Sequence, residues 1–190
     1  MVATLERPNA DLDDVVVPDG FEMVDGQLVE MMPMSEKSSW VGGQLFAAIN
    51  AHCKANDLGR AYPQDTAFRG FPGRRITVRK PDVSFVRKDR LATKLSSKDL
   101  AIPPDLAVEV LSPTDVVVDL YAKVEQYQAA RVRLVWVIDP DSRLARIHRA
   151  DGTEAKIYEH QDLDGEDVLP GFRCSLQSIL PPHDDDAADG

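Results

Sequence analysis

The sequence predicts an α+β fold (α/β/α-like), a mixed central β-sheet flanked by helices. Three observations lead there. The candidate elements run hairpin, helix, three strands, helix, strand, an order that mixes sequential and crossover pairing. Residues 105–138 read as strand, helix, strand, a βαβ crossover expected to be right-handed. The composition, 43% hydrophobic and 28% charged with 11 Gly and 13 Pro in 190 residues, is ordinary for one globular domain. A domain of this size buries roughly 70% of its unfolded surface, so neither a disulfide nor a structural metal is required.

Each element has a local signal. Residues 1–20 are polar and acidic and carry Pro8 and Pro18, which predicts a flexible N-terminal arm. The ordered domain is expected over 21–180. FEMV and QLVEMM flank Asp25-Gly26, the two-residue signal of a type I′ hairpin. Ser35 is placed to N-cap a helix through about Asn56, with Leu45, Ala48 and Ile49 at helical spacing and Gly59 past its end. Strands are expected at Tyr62–Phe68, Arg75–Arg79 and Val83–Val86. A Lys- and Ser-rich loop leads to Asp105–Leu111, whose LAVEVL core suits a buried central strand. A helix over 115–130, a buried strand Val132–Ile138 and meander strands Arg143–His148 and Glu154–Tyr158 complete the domain. Residues 181–190, PPHDDDAADG, hold four Asp and no bulky apolar side chain, and predict a disordered acidic tail.

Composition also narrows the function. No apolar run approaches the ~20 residues of a membrane span, and the stretch 132–138 is interrupted by Arg133. The N-terminus lacks a basic n-region followed by an apolar h-region, so a soluble cytoplasmic protein without membrane partners is expected. Cys53 and Cys174 form no CxxC, which argues against a zinc ribbon or disulfide scaffold. The four histidines lack ligand spacing and read as surface residues, while Trp40, Trp136, Tyr158 and the Met31-Met32-Met34 cluster read as packing or interface. An apolar hairpin near Met31 is compatible with a homodimer.

Net charge is −10, which opposes a nucleic-acid partner, yet the charge is unevenly spread. Residues 60–98 carry eleven Lys/Arg against Asp65, Asp82 and Asp89, so this segment is +8 and the remainder −18. Such a block either forms an electrostatic footprint for phosphates or consists of solvated strand edges.

Three residues break the local rules, which is where functional sites tend to fall. Glu109 sits inside Leu106-Ala-Val-Glu-Val-Leu111, where an ionised carboxylate is costly unless paired, hydrogen-bonded or metal-bound; an exposed edge position is the alternative. Lys123 lies seven residues after Val116, within the stripe that Leu120 and Tyr127 turn toward the sheet, as a partner for that carboxylate or as a snorkelling side chain. Asp82 follows Pro81 at the mouth of a strand, 27 residues before Glu109, a spacing that allows the two acids to lie on neighbouring strands; a turn residue is the alternative. Two carboxylates held together repel, and a divalent cation relieves the repulsion. Two acids, a lysine and a nearby basic segment suit metal-assisted phosphodiester hydrolysis, with Asp82 and Glu109 on Mg²⁺ or Mn²⁺, Lys123 orienting water or stabilising charge, and DNA along the basic segment.

At these residues the chain resembles the Uma-two family of endonucleases within the PD-(D/E)XK superfamily. The matching text is Lys80-Pro-Asp-Val-Ser-Phe-Val86, Pro104-Asp-Leu-Ala-Val-Glu-Val-Leu-Ser-Pro113, Lys123-Val-Glu-Gln-Tyr127 and Val135-Trp-Val-Ile-Asp-Pro140, with Asp25-Gly-Gln-Leu-Val-Glu30 and Asp65-Thr-Ala-Phe68 also similar. The resemblance spans roughly 21–180 and implies a restriction endonuclease-like fold with metal-dependent nuclease chemistry. It implies Asp82 and Glu109 as metal ligands, the Val110 carbonyl as a third oxygen, and Lys123 as the catalytic lysine in place of the superfamily position held here by Leu111. Tyr127 would support Lys123, and Asp65 would be a further acid near the metal. Lys37-Ser-Ser39 stands where relatives often carry His. Two other classes remain open: a catalytically inactive nuclease-fold module that binds DNA or another partner, and a structural domain in which Glu109 and Lys123 form only a buried ion pair.

Overall fold

The computed structural model describes residues 15–113 and 117–183. Most of the expected arm, residues 1–14, and residues 184–190 of the expected tail lie outside the described residues, as do Val116 and the expected start of the second helix.

The chain opens with the hairpin β1 (Phe21–Val24) and β2 (Gln27–Glu30), paired antiparallel with Val24 opposite Gln27. Asp25 and Gly26 both have positive φ, 49° and 76°, as a type I′ turn demands. Helix α1 (Glu36–Asn56) starts at Ser35, whose hydroxyl accepts from the Ser38 N–H. It ends on Asp57 in the left-handed conformation rather than on a glycine. Gly59 instead opens β3 (Gly59–Pro63), where an added Cβ would lie 2.1 Å from the Val86 carbonyl, so the close strand approach requires glycine there.

The expected strand Tyr62–Phe68 therefore begins earlier and breaks after Pro63. Gln64 and Asp65 turn the chain, with Asp65 at φ 68°, and Phe68 meets Arg79 only as an isolated bridge. The expected strand Arg75–Arg79 is likewise reduced to bridges, Val78 to Met23 and Arg79 to Phe68. The first of these bridges ties the hairpin to residues 76–78 without adding a strand to the sheet.

Strands β4 (Val83–Arg87), β5 (Leu106–Val110), β6 (Leu134–Asp139), β7 (Leu144–Arg149) and β8 (Glu154–Tyr158) join β3 in a six-stranded sheet of order β3-β4-β5-β6-β7-β8. Only β5 and β6 are parallel, connected through α2 (Val117–Ala129); every other neighbouring pair is antiparallel. This is the expected mixed sheet and crossover.

Side-chain alternation divides the sheet into two faces. Val108, Val110, Trp136 and Ile138 pack with Val41, Leu45 and Ile49 of α1. Ala107, Val135 and Val137 pack with Val124 and Tyr127 of α2. Three short elements have no expectation behind them: β9 (Asp162–Asp164), β10 (Arg173–Ser175) and α3 (Leu176–Ile179), which close the α1 side through Leu163, Leu176 and Ile179. Pro181 and His183 of the expected tail are held, through Arg143 donating to the Pro181 carbonyl at 2.9 Å and His183 against Glu159. His148 is buried beside Glu154 on the neighbouring strand, not at the surface. Trp136 is buried in the core, whereas Trp40 and Tyr158 are exposed. No helix among the described residues is long and apolar enough to cross a membrane.

Candidate active site

Glu109 occupies the middle of the sheet, on β5 between β4 and β6, and is 6% exposed. Its two neighbours in sequence face α1, so it faces α2, and α2 supplies its partners. The Tyr127 hydroxyl donates to Oε1 at 2.7 Å, and the Lys123 ammonium donates to Oε2 at 3.2 Å. The edge-strand alternative for Glu109 is thereby removed. The helical spacing explains the pair, since residues four apart stack on one face of a helix.

Asp82 stands just before β4. Its N–H donates to the Val108 carbonyl at 3.0 Å, and its Oδ2 accepts from the Val110 N–H at 2.7 Å. Along β5 the Val108 carbonyl and the Val110 N–H both meet Asp82, while the Leu111 N–H turns back to β6 by donating to the Ile138 carbonyl. Val110 thus sits beside the Asp82 carboxylate at the end of β5. Asp82, Glu109, Val110 and Lys123 all line one cleft of about 290 Å³. Asp65 does not line it: that residue is exposed in the turn after β3, and its neighbour Gln64 lines the cleft instead.

Behind Lys123 lies a buried layer that sequence reasoning missed. Glu22 of β1 is 2% exposed and accepts from Arg79 Nη1 at 2.6 Å and from the Lys80 N–H at 2.8 Å, with Lys123 Nζ at 3.5 Å. Arg79 in turn donates through Nε to Gln126 Oε1 at 2.8 Å. Lys123 is thus shared between Glu22 and Glu109, and its side chain remains 23% exposed to the cleft. Glu22 is buried because the Met23–Val78 bridge holds its hairpin against the segment that carries Arg79 and the Lys80 N–H. The pairing spans 57 residues, and only the acid within an otherwise apolar FEMV hinted at it.

The electrostatics follow from this geometry. Burial raises the pKa of Glu109, the Glu22 charge adds to the rise, and Lys123 and Tyr127 oppose it. Burial works against the Lys123 ammonium, but Glu109 and Glu22 outweigh it and hold its pKa above the ordinary lysine value. Burial and the Glu109 charge push the Tyr127 phenol well upward, so it stays a donor. Lys123 accordingly serves as a fixed positive charge at neutral pH and not as a proton acceptor.

The donors available to a cation are carboxylate and carbonyl oxygens, the chemistry Mg²⁺ and Mn²⁺ prefer. Among the described residues no three or more His, Cys, Asp or Glu side chains form a metal-binding group, so a cation here would rest on Asp82, Glu109 and a main-chain oxygen. In the first turn of α1, buried Ser38 donates to the Leu111 carbonyl at 2.8 Å, a tie between the helix and the end of β5.

A mixed sheet with helices on both faces, and an acidic cleft at the end of its antiparallel–parallel junction, define a nuclease-like fold of the restriction-endonuclease kind. Residues 18–177 match the model of the Uma2 family, described as "Putative restriction endonuclease", and the chain belongs to that family. Among solved structures it is similar to a "putative nuclease belonging to DUF820" from Anabaena variabilis, with TM-score 0.74 and 16% identity over 90% of this chain and 98% of the other. No curated protein matches the chain.

Proposed function

We propose that this protein is a Mg²⁺- or Mn²⁺-dependent endonuclease that hydrolyses phosphodiester bonds in DNA. The observation that carries the reading is the convergence of Asp82, Glu109 and Lys123, from three separate stretches of chain, on one cleft. Asp82 and Glu109, with the Val110 carbonyl, would hold the cation. When bound, the cation neutralises phosphate charge and lowers the pKa of a coordinated water. Lys123, fixed as an ammonium by Glu109 and Glu22, orients the attacking water or stabilises charge developing on the phosphate oxygens. Tyr127 holds the Glu109 carboxylate in one orientation, and the Arg79–Glu22 pair fixes the far side of Lys123.

The test is plasmid cleavage. Purified protein with Mg²⁺ is expected to nick or linearise supercoiled DNA, EDTA to stop it, and Asp82→Ala to abolish it. Equal cutting by the natural chain and the variant would assign the activity to a contaminant.

A second reading has its own observation. Glu109 already has both oxygens engaged by Tyr127 and Lys123, as in a structural ion pair, and the chain's net charge of −10 weakens unspecific DNA binding. A nuclease-fold module that binds a partner without turnover would keep these contacts and take up neither Mg²⁺ nor Mn²⁺ in calorimetry.

A further inference from the structure

Five of the eleven cations of the basic segment have carboxylate partners, some buried and some at the surface. Arg79 pairs with Glu22, Arg69 with Asp99, Arg87 with Asp89, Lys88 with Asp57 and Arg90 with Asp105. Of the segment's cations that have no carboxylate partner among the described residues, Arg60, Lys94 and Lys98 line a second cavity of about 680 Å³. Among the described residues Asp99 is the only acid on its walls, and it is taken by Arg69 at 2.6 Å. Lys94 and Lys98 are exposed, Arg60 is half-buried, and Tyr62 adds a hydroxyl from the same strand. Unpaired cations around a concave surface on a chain of −10 are a local reversal of sign, which attracts anions.

The strand register relates this cavity to the cleft. Arg60 lies opposite Val86 and Tyr62 opposite Ser84, while Ser84 lies opposite Ala107, two residues before Glu109. Residues directly paired, or two apart on a strand, share a face, so Arg60, Tyr62 and Glu109 belong to the same face of the sheet. Along β4, Val86 is four residues from Asp82, about 13 Å at ~3.3 Å per residue. A duplex whose axis runs along β4 advances about four base pairs over that distance, at ~3.4 Å of axial rise each.

We infer that this cavity is a phosphate-binding subsite for the DNA backbone, seating phosphates about four nucleotides to one side of the group in the cleft. The inference rests on the nuclease reading for what lies in the cleft, but it concerns residues that touch none of the cleft's side chains. It names the cations that give an acidic protein its grip on a polyanion: Arg60, Lys94 and Lys98.

The test is fluorescence anisotropy with a fluorescein-labelled 30-base-pair DNA duplex and the matching single strand, in EDTA so that no turnover occurs, at several salt concentrations. The full-length chain is compared with Lys94→Gln/Lys98→Gln and with Arg60→Gln/Lys94→Gln/Lys98→Gln, after thermal melting and circular dichroism. Each lost phosphate contact lowers the slope of log K against log salt by about 0.9 for a duplex. The double variant is expected to lower that slope by about 2 and the triple by about 3, with Kd raised about tenfold or more. Because Lys94 and Lys98 are exposed, the double variant decides the matter even where Arg60→Gln disturbs folding. If both variants keep the natural Kd and slope while the natural chain cleaves plasmid, the subsite is overturned and the nuclease reading stands. Equal loss for every variant in the single strand but not the duplex overturns the duplex geometry on which the subsite is drawn. If the natural chain neither binds nor cuts DNA, both are overturned.

Discussion

The Lys123 ammonium reaches from α2 to the Glu109 carboxylate on β5, 3.2 Å away, and on its other side meets Glu22 at 3.5 Å. A lysine held between two buried acids is a fixed charge aimed at the cleft. Breaking either contact leaves a charge without its partner in a poorly solvated place, with measurable effects on stability, metal uptake and cleavage.

Removing the ion pair as a unit separates chemistry from stability. Replacing one member of a buried pair costs about 3–5 kcal/mol, whereas replacing both by neutral groups of similar size is often neutral or stabilising. Because Lys123 is partly exposed and also faces Glu22, the single Lys123→Met variant is expected nearer the lower end. Glu109→Gln with Lys123→Met should melt within a few degrees of the natural protein and have no cleavage activity. Retained cleavage by the double variant would remove both residues from the chemistry.

Glu22 gives a harsher result. Glu22→Gln leaves Arg79, 4% exposed, without its carboxylate, and the expected loss is about 3–5 kcal/mol by urea unfolding. Adding Arg79→Met should recover much of it. A Glu22→Gln protein as stable as the natural one would mean that Gln126 and the main chain satisfy Arg79 unaided.

Acid should weaken the site from a higher pH than an ordinary carboxylate would. Burial raises the Glu109 pKa, and a proton competes with the cation for its oxygens. Apparent Mn²⁺ affinity is therefore flat above that raised value and falls as pH drops through it, well before the ordinary ~4.3 of Glu. Tyr127→Phe removes a donor to the ionised form, so the fall should move further upward in pH, alongside a stability loss of about 1–2 kcal/mol. The linkage sign for folding is the reverse: with its folded value above its unfolded one, Glu109 contributes stability while protonated and loses it as pH rises through the folded value. A Tyr127→Phe profile identical to that of the natural chain would contradict this.

Cys53 offers a check on the core that is independent of function. It is buried on the core-facing side of α1, and burial pushes its thiol up to about 11. At pH 8 the thiolate is scarce and shielded, so native protein should label at Cys53 only on unfolding, while denatured protein labels both cysteines. Rapid native labelling at Cys53 would contradict the packing of α1 on the sheet.

The sequence was most legible where local chemistry decides. Asp25-Gly26 dictated the turn, Ser35 the helix start, and LAVEVL a strand buried on both faces, which made its one acid conspicuous. Lys123 and Tyr127 could be placed on the Glu109 side because four residues make a helical turn. The features that could not be read depend on distant packing. Glu22 is buried because its hairpin docks on the segment around Val78, and Arg79 finds it over 57 residues. The strand at Tyr62–Phe68 failed at Pro63, which has no N–H to give a ladder, followed by the left-handed Asp65. The short elements β9, β10 and α3, three or four residues each, are below the length at which periodicity shows.

Calorimetric titration with Mn²⁺, on the natural chain and on Asp82→Asn and Glu109→Gln, tests the central claim most directly. Asp82→Asn retains an oxygen to accept from the Val110 N–H, so it removes charge with little change in fold. One site is expected in the natural chain, with affinity lowered about tenfold or more by either substitution and melting temperature nearly unchanged for Asp82→Asn. No uptake by the natural chain, or equal uptake by all three proteins, would contradict the assignment of these two acids to a cation.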